Sequence, residues 1–422
     1  MKFIHAADLH IDSPLQGLDG YEGAPVERLR GATRQALIAL VELALARRVD
    51  LVLLAGDVYD GNWIDFRTGL FFREQMLRLT RAGVRVFVVK GNHDAASQIT
   101  RQLPSVEGVH EFSAAKSETV DLPALGAAIH GRSFPQREVP EDLVPLYPDP
   151  VPGRFNIGLL HTSLTGREGH DPYAPTSVEV LAAKGYDYFA LGHVHAREVV
   201  REASPRIVFP GNLQGRHARE TGPKGCELVT VEDGVIAETE FVPLDTVRWH
   251  VLRIDVSGLD GIEALAGRFV GQARALAAGA PDRLHAVRVL LHGESALHRL
   301  EAEQPGSVAA AVQAATQELD DVELWVEEVR LDLRSPLDRA SASARADAVG
   351  EVVRLVDAIA ADDAGLAAWF RDRISELPAL PAGLSDADPR ALDAAAMRAL
   401  LADAEATVLA RLAELAGDGT SP

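Results

Sequence analysis

Five short apolar runs in the first half of the chain each stop abruptly at polar side chains. Lys2-Phe-Ile-His-Ala-Ala leads into Asp8 and His10, and Leu51-Val-Leu-Leu-Ala into Gly56, Asp57 and Asp60. Val84-Arg-Val-Phe-Val-Val leads into Gly91, Asn92, His93 and Asp94. Asn156-Ile-Gly-Leu-Leu ends in His161, and Tyr186-Asp-Tyr-Phe-Ala-Leu in Gly192, His193 and His195. The runs are rich in β-branched and aromatic residues, which suits buried strands. Between the first three, the apolar period changes from that of a strand to that of a helix. Leu29, Ala32, Ala36, Leu40, Leu43 and Ala44 share one face over Pro25–Arg48, as do Phe71, Phe72, Met76 and Leu79 over Arg67–Ala82. This β-α-β-α-β alternation predicts a layered α/β domain with right-handed crossovers.

The remaining pattern divides the chain into three regions. Residues 1–245 form the first. Beyond the second helix it adds a strand at Ala127–Gly131, a surface loop over Pro135–Pro152, and a short helix at Ser177–Lys184. A strand at Arg206–Phe209, a Gly-rich turn over Pro210–His217 and a hairpin over 225–242, turning at Asp233-Gly234, complete it. Loops at Ile11–Gly23 and Thr162–Pro175 are placed to border a site at the strand ends. Residues 246–335 read as a small α/β unit, with strands at Arg248–Val256, His285–His292 and Val322–Leu333 and helices at Gly261–Ala278 and Ser307–Leu319. Residues 336–422 read as helical, with amphipathic stretches at Asp347–Ala361 and Arg390–Leu415 around a Pro-rich break at Leu377–Pro389.

Charge and cysteine content narrow the possibilities. The net charge is −20. Residues 1–250 carry 26 basic against 33 acidic side chains, and residues 251–422 carry 16 against 29, so the second part is the more acidic. That is not the basic footprint of an autonomous nucleic-acid binder. A phosphate-accepting site would draw its positive charge from bound metal. The single Cys226 excludes a disulfide framework and fits a reducing cytoplasm. No signal peptide precedes the first strand, and no apolar run approaches the ~20 residues that span a bilayer. The chain reads as a cytoplasmic protein with no membrane contact.

Asp, Asn and His side chains gathered at strand ends suit a pair of divalent cations, with no thiolate in the set. Asp8-Leu-His10, Gly56-Asp57, Gly91-Asn-His-Asp94, His161 and Gly192-His-Val-His195, in this order, resemble the calcineurin-like metallophosphoesterase superfamily. The resemblance implies a layered β-sandwich flanked by helices, followed by the small α/β cap and a helical C-terminal region. It implies that Asp8, His10 and His195 hold one metal, that Asn92, His161 and His193 hold the other, and that Asp57 bridges them. His93 resembles the histidine that assists the leaving oxygen, with Asp94 orienting it through the other ring nitrogen. His5, His110, His130, His170, His217 and His250 match no motif and read as structural or surface residues. Asp60 and Tyr59 read as fixing the loop after Asp57. Arg216 and His217 sit in a loop able to reach the site, but read as structural.

Within the superfamily, His5-Ala-Ala-Asp-Leu-His10-Ile-Asp-Ser-Pro, Gly56-Asp-Val-Tyr-Asp60 and Phe189-Ala-Leu-Gly-His-Val-His195 look most like SbcD-type DNA repair nucleases. Pro210-Gly-Asn-Leu-Gln-Gly-Arg-His217 and the helical tail look like the YhaO branch. That likeness implies DNA exonuclease or endonuclease activity with two divalent ions, Mn first, with Mg, Fe or Zn as alternatives. It also implies DNA as a partner, a homodimer, and an SMC-like coiled-coil ATPase subunit of the SbcC or YhaN type. The partner would bind the helical tail, in an SbcCD-like complex. The alternative is a phosphodiesterase or phosphatase for small phosphoesters or phosphoproteins, using the same ligands. A scaffold that has lost the chemistry is the third possibility, and the intact ligand set argues against it.

Overall fold

The computed structural model describes residues 1–13, 23–60, 66–96, 106–164, 173–336, 338–374 and 392–417. In chain order the first elements are β1 (Lys2–Ala6), α1 (Val26–Arg47), β2 (Leu51–Ala55), α2 (Phe66–Arg81), β3 (Arg85–Val89) and the short α3 (Asn92–Ala96). Next come β4 (Val109–Glu111), β5 (Glu118–Leu122), β6 (Ala127–Gly131), β7 (Phe155–His161), α4 (Val178–Ala183), β8 (Tyr188–Gly192) and β9 (Glu198–Arg201). They are followed by β10 (Arg206–Phe209), β11 (Gly225–Glu232), β12 (Val235–Pro243), β13 (Val247–Asp255), α5 (Ile262–Ala277) and β14 (Leu284–Glu294). The last are α6 (Leu297–Glu303), α7 (Ser307–Ala315), β15 (Leu324–Arg334), α8 (Arg339–Ser343), α9 (Ala348–Ala360), α10 (Asp363–Ile374) and α11 (Ala394–Gly417). The chain forms two compact units. One is Met1–Val251 with Asp282–Val287 and Glu323–Glu327. The other is Leu252–Pro281, Arg288–Val322 and Glu328–Pro422.

The first unit is a sandwich of two six-stranded sheets, ordered β12-β11-β1-β2-β3-β4 and β5-β6-β7-β8-β10-β9. β1, β2, β3 and β4 run parallel, as do β6, β7, β8 and β10. β2 is buried along its whole length, as are β6, β7 and β8. Strands covered on both faces read as continuous apolar runs, which is why these runs were legible. Phe3, Leu53, Phe87, Ile129, Ile157, Leu159 and Tyr188 fill the layer between the sheets. On the outer face of the first sheet, Ala36, Leu40 and Ala44 of α1 and Met76 and Leu79 of α2 pack on Ile4, Val52 and Val86. The sandwich flanked by helices is the architecture expected from the sequence.

Two features differ from the expectation. The stretch Pro135–Pro152 is not simply a surface loop. Val139, Leu143, Val144 and Tyr147 are buried with Leu160, Phe189 and Phe209 and cover the outer face of the second sheet. Its many prolines hid that role, because four scattered apolar residues show no period. The short edge strands β4, β5 and β9 were also missed, since they are only partly buried and mostly polar. The hairpin β11–β12 turns as predicted, with φ of +49° at Asp233 and +77° at Gly234, the left-handed pair of a two-residue hairpin loop. Most of the two expected site-bordering loops (residues 14–22 and 165–172), the Pro-rich break and His170 lie outside the described residues.

In the second unit, Val289 and Leu291 of β14 are both fully buried. α5 buries Leu265, Phe269 and Val270, and α7 buries Val308 and Val312. The tail packs as two small clusters. Ala342, Val349, Val353 and Leu409 form one, and Leu366, Phe370 and Leu401 the other. Asp347 caps α9 by accepting from the Gly350 N–H, which satisfies one of the donors that a helix start leaves open. Among the described residues, no helix is long and apolar enough to cross a membrane.

Candidate metal centre

All five polar clusters meet at the C-terminal ends of β1, β2, β3, β7 and β8. The chain reaches them through strained turns. Asp8, His10, Asp57 and His193 have φ of +51°, +44°, +50° and +105°, a region that side chains other than glycine seldom occupy. Backbone bonds hold the turns in place: Asp8 N–H donates to Gly56 O and His10 N–H to Asp57 O, each at 3.0 Å. The His193 N–H donates to both Asp8 carboxylate oxygens at 3.1 and 3.0 Å. The turns thus point the side chains inward at a cost that this network offsets.

Two pockets result. Ligand atoms of Asp8, His10 and His195 lie within 4.8 Å of one another, as do those of Asp57, His161 and His193. Asn92 Oδ1 joins the second, 2.9 Å from His161 Nε2. The donor chemistry fits a cation in each. His195 donates Nδ1–H to Glu220 Oε1 at 2.6 Å, which leaves Nε2 with a bare lone pair. That nitrogen sits 3.1 Å from His10 Nε2, while His10 Nδ1 is 3.6 Å from the Asp60 carboxylate. This pair shares a proton in one tautomer of His10, and in the other turns two lone pairs inward where a cation fits between them. In the second pocket, His161 donates Nδ1–H to Ala55 O at 2.9 Å, and its Nε2 faces Asn92 Oδ1 and, at 3.4 Å, Asp57 Oδ2.

Charge points the same way. Burial works to lower the His161 imidazole, but the Asp57 and Asp8 carboxylates override it and push it up to about 9. Burial works to raise Asp57, and His161 outweighs it, holding that carboxyl below the usual range. The second pocket therefore takes either a proton on His161 or a cation, in competition. Burial depresses His10 to about 4, with Arg216 adding to the effect, so its imidazole is a neutral donor at neutral pH.

His93 stands beside both pockets, its backbone N–H donating to Asp57 Oδ1 at 3.0 Å. Its orienting partner is not the one expected. His93 Nδ1 meets Asp60 Oδ1 at 2.9 Å, and this bond raises the imidazole above its ordinary value. Asp94 instead accepts backbone N–H groups from Gly91, Val58 and Tyr59 at 3.2, 3.2 and 3.0 Å. It staples the β2 and β3 loops together. Adjacency in sequence suggested Asp94, but its position in the first turn of α3 turns it back toward the loop. Asp94→Ala leaves three buried donors without partners. It is expected to lower the unfolding free energy by about 3 kcal/mol or more, as read by urea denaturation.

Glu220 was not singled out in the sequence, because nothing local marks it. Arg216 was read as structural, yet its guanidinium lies 3.4 Å from Asp60 Oδ2 and 3.2 Å from Glu220 Oε1. The other histidines fall as expected where they are described. His5 is buried between Tyr188 Oη and Leu191 O, and its burial lowers it to about 3. His130 bonds Thr119 and Asn156 and stacks on Tyr186.

Two facing mixed sheets with paired Asp/His/Asn pockets at their strand ends define a phosphoesterase of the calcineurin-like class. The family model described as calcineurin-like phosphoesterase matches residues 1–197, and that described as the middle domain of metallophosphoesterase YhaO matches residues 249–334. The uncharacterized metallophosphoesterase YhaO of Bacillus subtilis is 35% identical over 336 residues, covering 79% of this chain and 81% of that protein. The chain belongs to the calcineurin-like metallophosphoesterases, in the branch of YhaO. More distant relatives are DNA double-strand break repair proteins Mre11. That of Methanopyrus kandleri is 25% identical over 61% of this chain and 60% of its own length. That of Aeropyrum pernix is 27% identical over 69% and 72%.

Proposed function

We propose that the chain is a two-metal DNA nuclease that hydrolyses phosphodiester bonds in DNA repair. The observation that carries the chemistry is the inward-turned donor set of Asp8, His10 and His195 beside Asp57, Asn92, His161 and His193, with His93 at its edge. DNA as the substrate rests on the likeness to Mre11 proteins over 61% and 69% of the chain. Two divalent ions in such a set, Mn first, supply an activated water and a clamp on the phosphate oxygens. The residues do the rest. Asp57, in the second pocket, would be the carboxylate shared by the two ions. Asp60 holds His93 by Nδ1, so that Nε2 presents a proton to the departing oxygen. The buried walls keep competing water out of the ligand shells.

The proposed setting is the cytoplasm, as a homodimer whose helical tail engages a coiled-coil ATPase of the SMC type. Such a subunit would supply the basic DNA-binding surface that a net charge of −20 does not. The test is cleavage of linear single- and double-stranded DNA with Mn(II), beside bis-p-nitrophenyl phosphate, with and without a candidate ATPase. DNA degradation that depends on added metal supports the nuclease. Turnover of bis-p-nitrophenyl phosphate with intact DNA, even with the ATPase present, would replace it with a phosphodiesterase for small esters.

A further inference from the structure

Glu220 lies in the segment between β10 and β11, outside every expected site motif. Its carboxylate is 7% exposed and collects four donors. They are His195 Nδ1 at 2.6 Å, the Arg216 backbone N–H at 2.7 Å, Asn212 Nδ2 at 2.9 Å and Arg216 Nη2 at 3.2 Å. Arg216 reaches the other way through Nη1, to Asp60 Oδ2 at 3.4 Å and Ser13 Oγ at 3.3 Å. Asp60 in turn holds His93 Nδ1 at 2.9 Å and lies 3.6 Å from His10 Nδ1. A continuous carboxylate–guanidinium–carboxylate chain thus runs from His195 to His93, and it passes 3.6 Å from His10 Nδ1, beyond hydrogen-bond reach. The same segment grips His195 by its main chain, since Lys224 Nζ donates to His195 O at 2.8 Å.

Each part has a physical reason. A buried carboxylate, Glu220, and a half-buried one, Asp60, this close to one site repel unless a cation separates them, and Arg216 is that cation. Its planar fork cannot turn toward one carboxylate without leaving the other. Each carboxylate fixes the ring of a different imidazole through its Nδ1–H, the arrangement that orients a ligand and raises its basicity. A shift at Glu220 is therefore transmitted to Asp60.

We propose that Glu220 and Arg216 are positioning residues. Glu220 sets His195, and Arg216 couples that setting through Asp60 to His93, so that His195 of the first pocket and His93 are organised as one unit. The proposal rests on the two-metal reading above but not on the identity of the substrate.

The test is Mn(II) titration of the full chain, with free Mn(II) followed by electron paramagnetic resonance. Wild type is expected to take two ions. Glu220→Gln and Arg216→Met are each expected to weaken one of the two by about 10–100-fold and leave the other unchanged. Arg216→Lys recovers charge without the fork and restores only part of the loss. Glu220→Gln and Asp60→Asn, combined, are expected to be non-additive with Arg216 present and additive in the Arg216→Met background. Wild-type affinity for both ions in Glu220→Gln and Arg216→Met overturns the proposal. So does equal weakening of both ions together with a lower melting temperature of the metal-free chain, which would assign the segment to the fold alone. A wild-type chain that binds no Mn(II) overturns the two-metal reading itself.

Discussion

His93→Ala lowers phosphodiester turnover by about 10²–10⁴-fold, the usual worth of a positioned proton donor, while both metal ions stay bound. Two features of the site set this expectation. The ring belongs to neither of the two proposed ligand sets, although its ligand atom lies within 4.8 Å of those of His10 and Asp60; its loss removes no donor from either set. Its Nδ1 is committed to Asp60, and the bond favours the charged imidazolium, the form that can protonate a leaving oxygen. The measurement pairs kcat on a phosphodiester with an alkoxide leaving group, such as a dinucleotide, with Mn(II) stoichiometry. A leaving group that needs no protonation, such as p-nitrophenolate, is expected to suffer less than an alkyl ester. Loss of a metal ion in the variant would make His93 a ligand and sink the assignment.

Gly91→Ala abolishes turnover by a different route. A Cβ at this position meets Asp57 Oδ1 and lies 2.8 Å from His161 Cε1 and 2.9 Å from Asp57 Cγ. Gly91 has no left-handed φ, so the damage is purely steric. The backbone cannot back away, because Gly91 N–H is tied to Asp94 and Gly91 O accepts from Ala95 N–H. Asp57 must swing, and as the proposed bridge it takes both pockets with it. The expected result is at least a 100-fold weaker uptake of Mn(II) by the variant, in line with loss of ligand orientation, and no detectable cleavage. Gly31→Ala in α1 is the control: nothing outside its own helix lies within 4 Å, so it should gain about 1 kcal/mol of stability and keep full activity. Two ions bound at wild-type affinity in Gly91→Ala would show that the bridge lies elsewhere.

The buried strands that lead into the site, the two flanking helices, the hairpin at Asp233-Gly234 and the order of the candidate ligands could all be read from the chain. Each depends on local information. A strand buried on both faces must be apolar throughout, a helix beside it must repeat its apolar residues every three to four positions, and a ligand at a strand end must follow the apolar run directly. Asp8, His10, Asp57, Asn92, His161, His193 and His195 obey that rule, and the structure gathers all seven. Pro135–Pro152 obeys no period, so its buried Val139, Leu143, Val144 and Tyr147 passed for surface.

What the tertiary structure alone decided is who holds whom. Asp94 adjoins His93 in sequence, yet Asp60, from the loop after another strand, holds the ring. Glu220 and Arg216 come from a segment between β10 and β11 that carries no ligand. They reach His195 and Asp60 because β10 lies next to β8 in one sheet while β11 lies next to β1 in the other. Side-chain pairing across sheets depends on strand order and on where each turn releases the chain. The period of apolar residues records neither, because it records only which face of an element is buried.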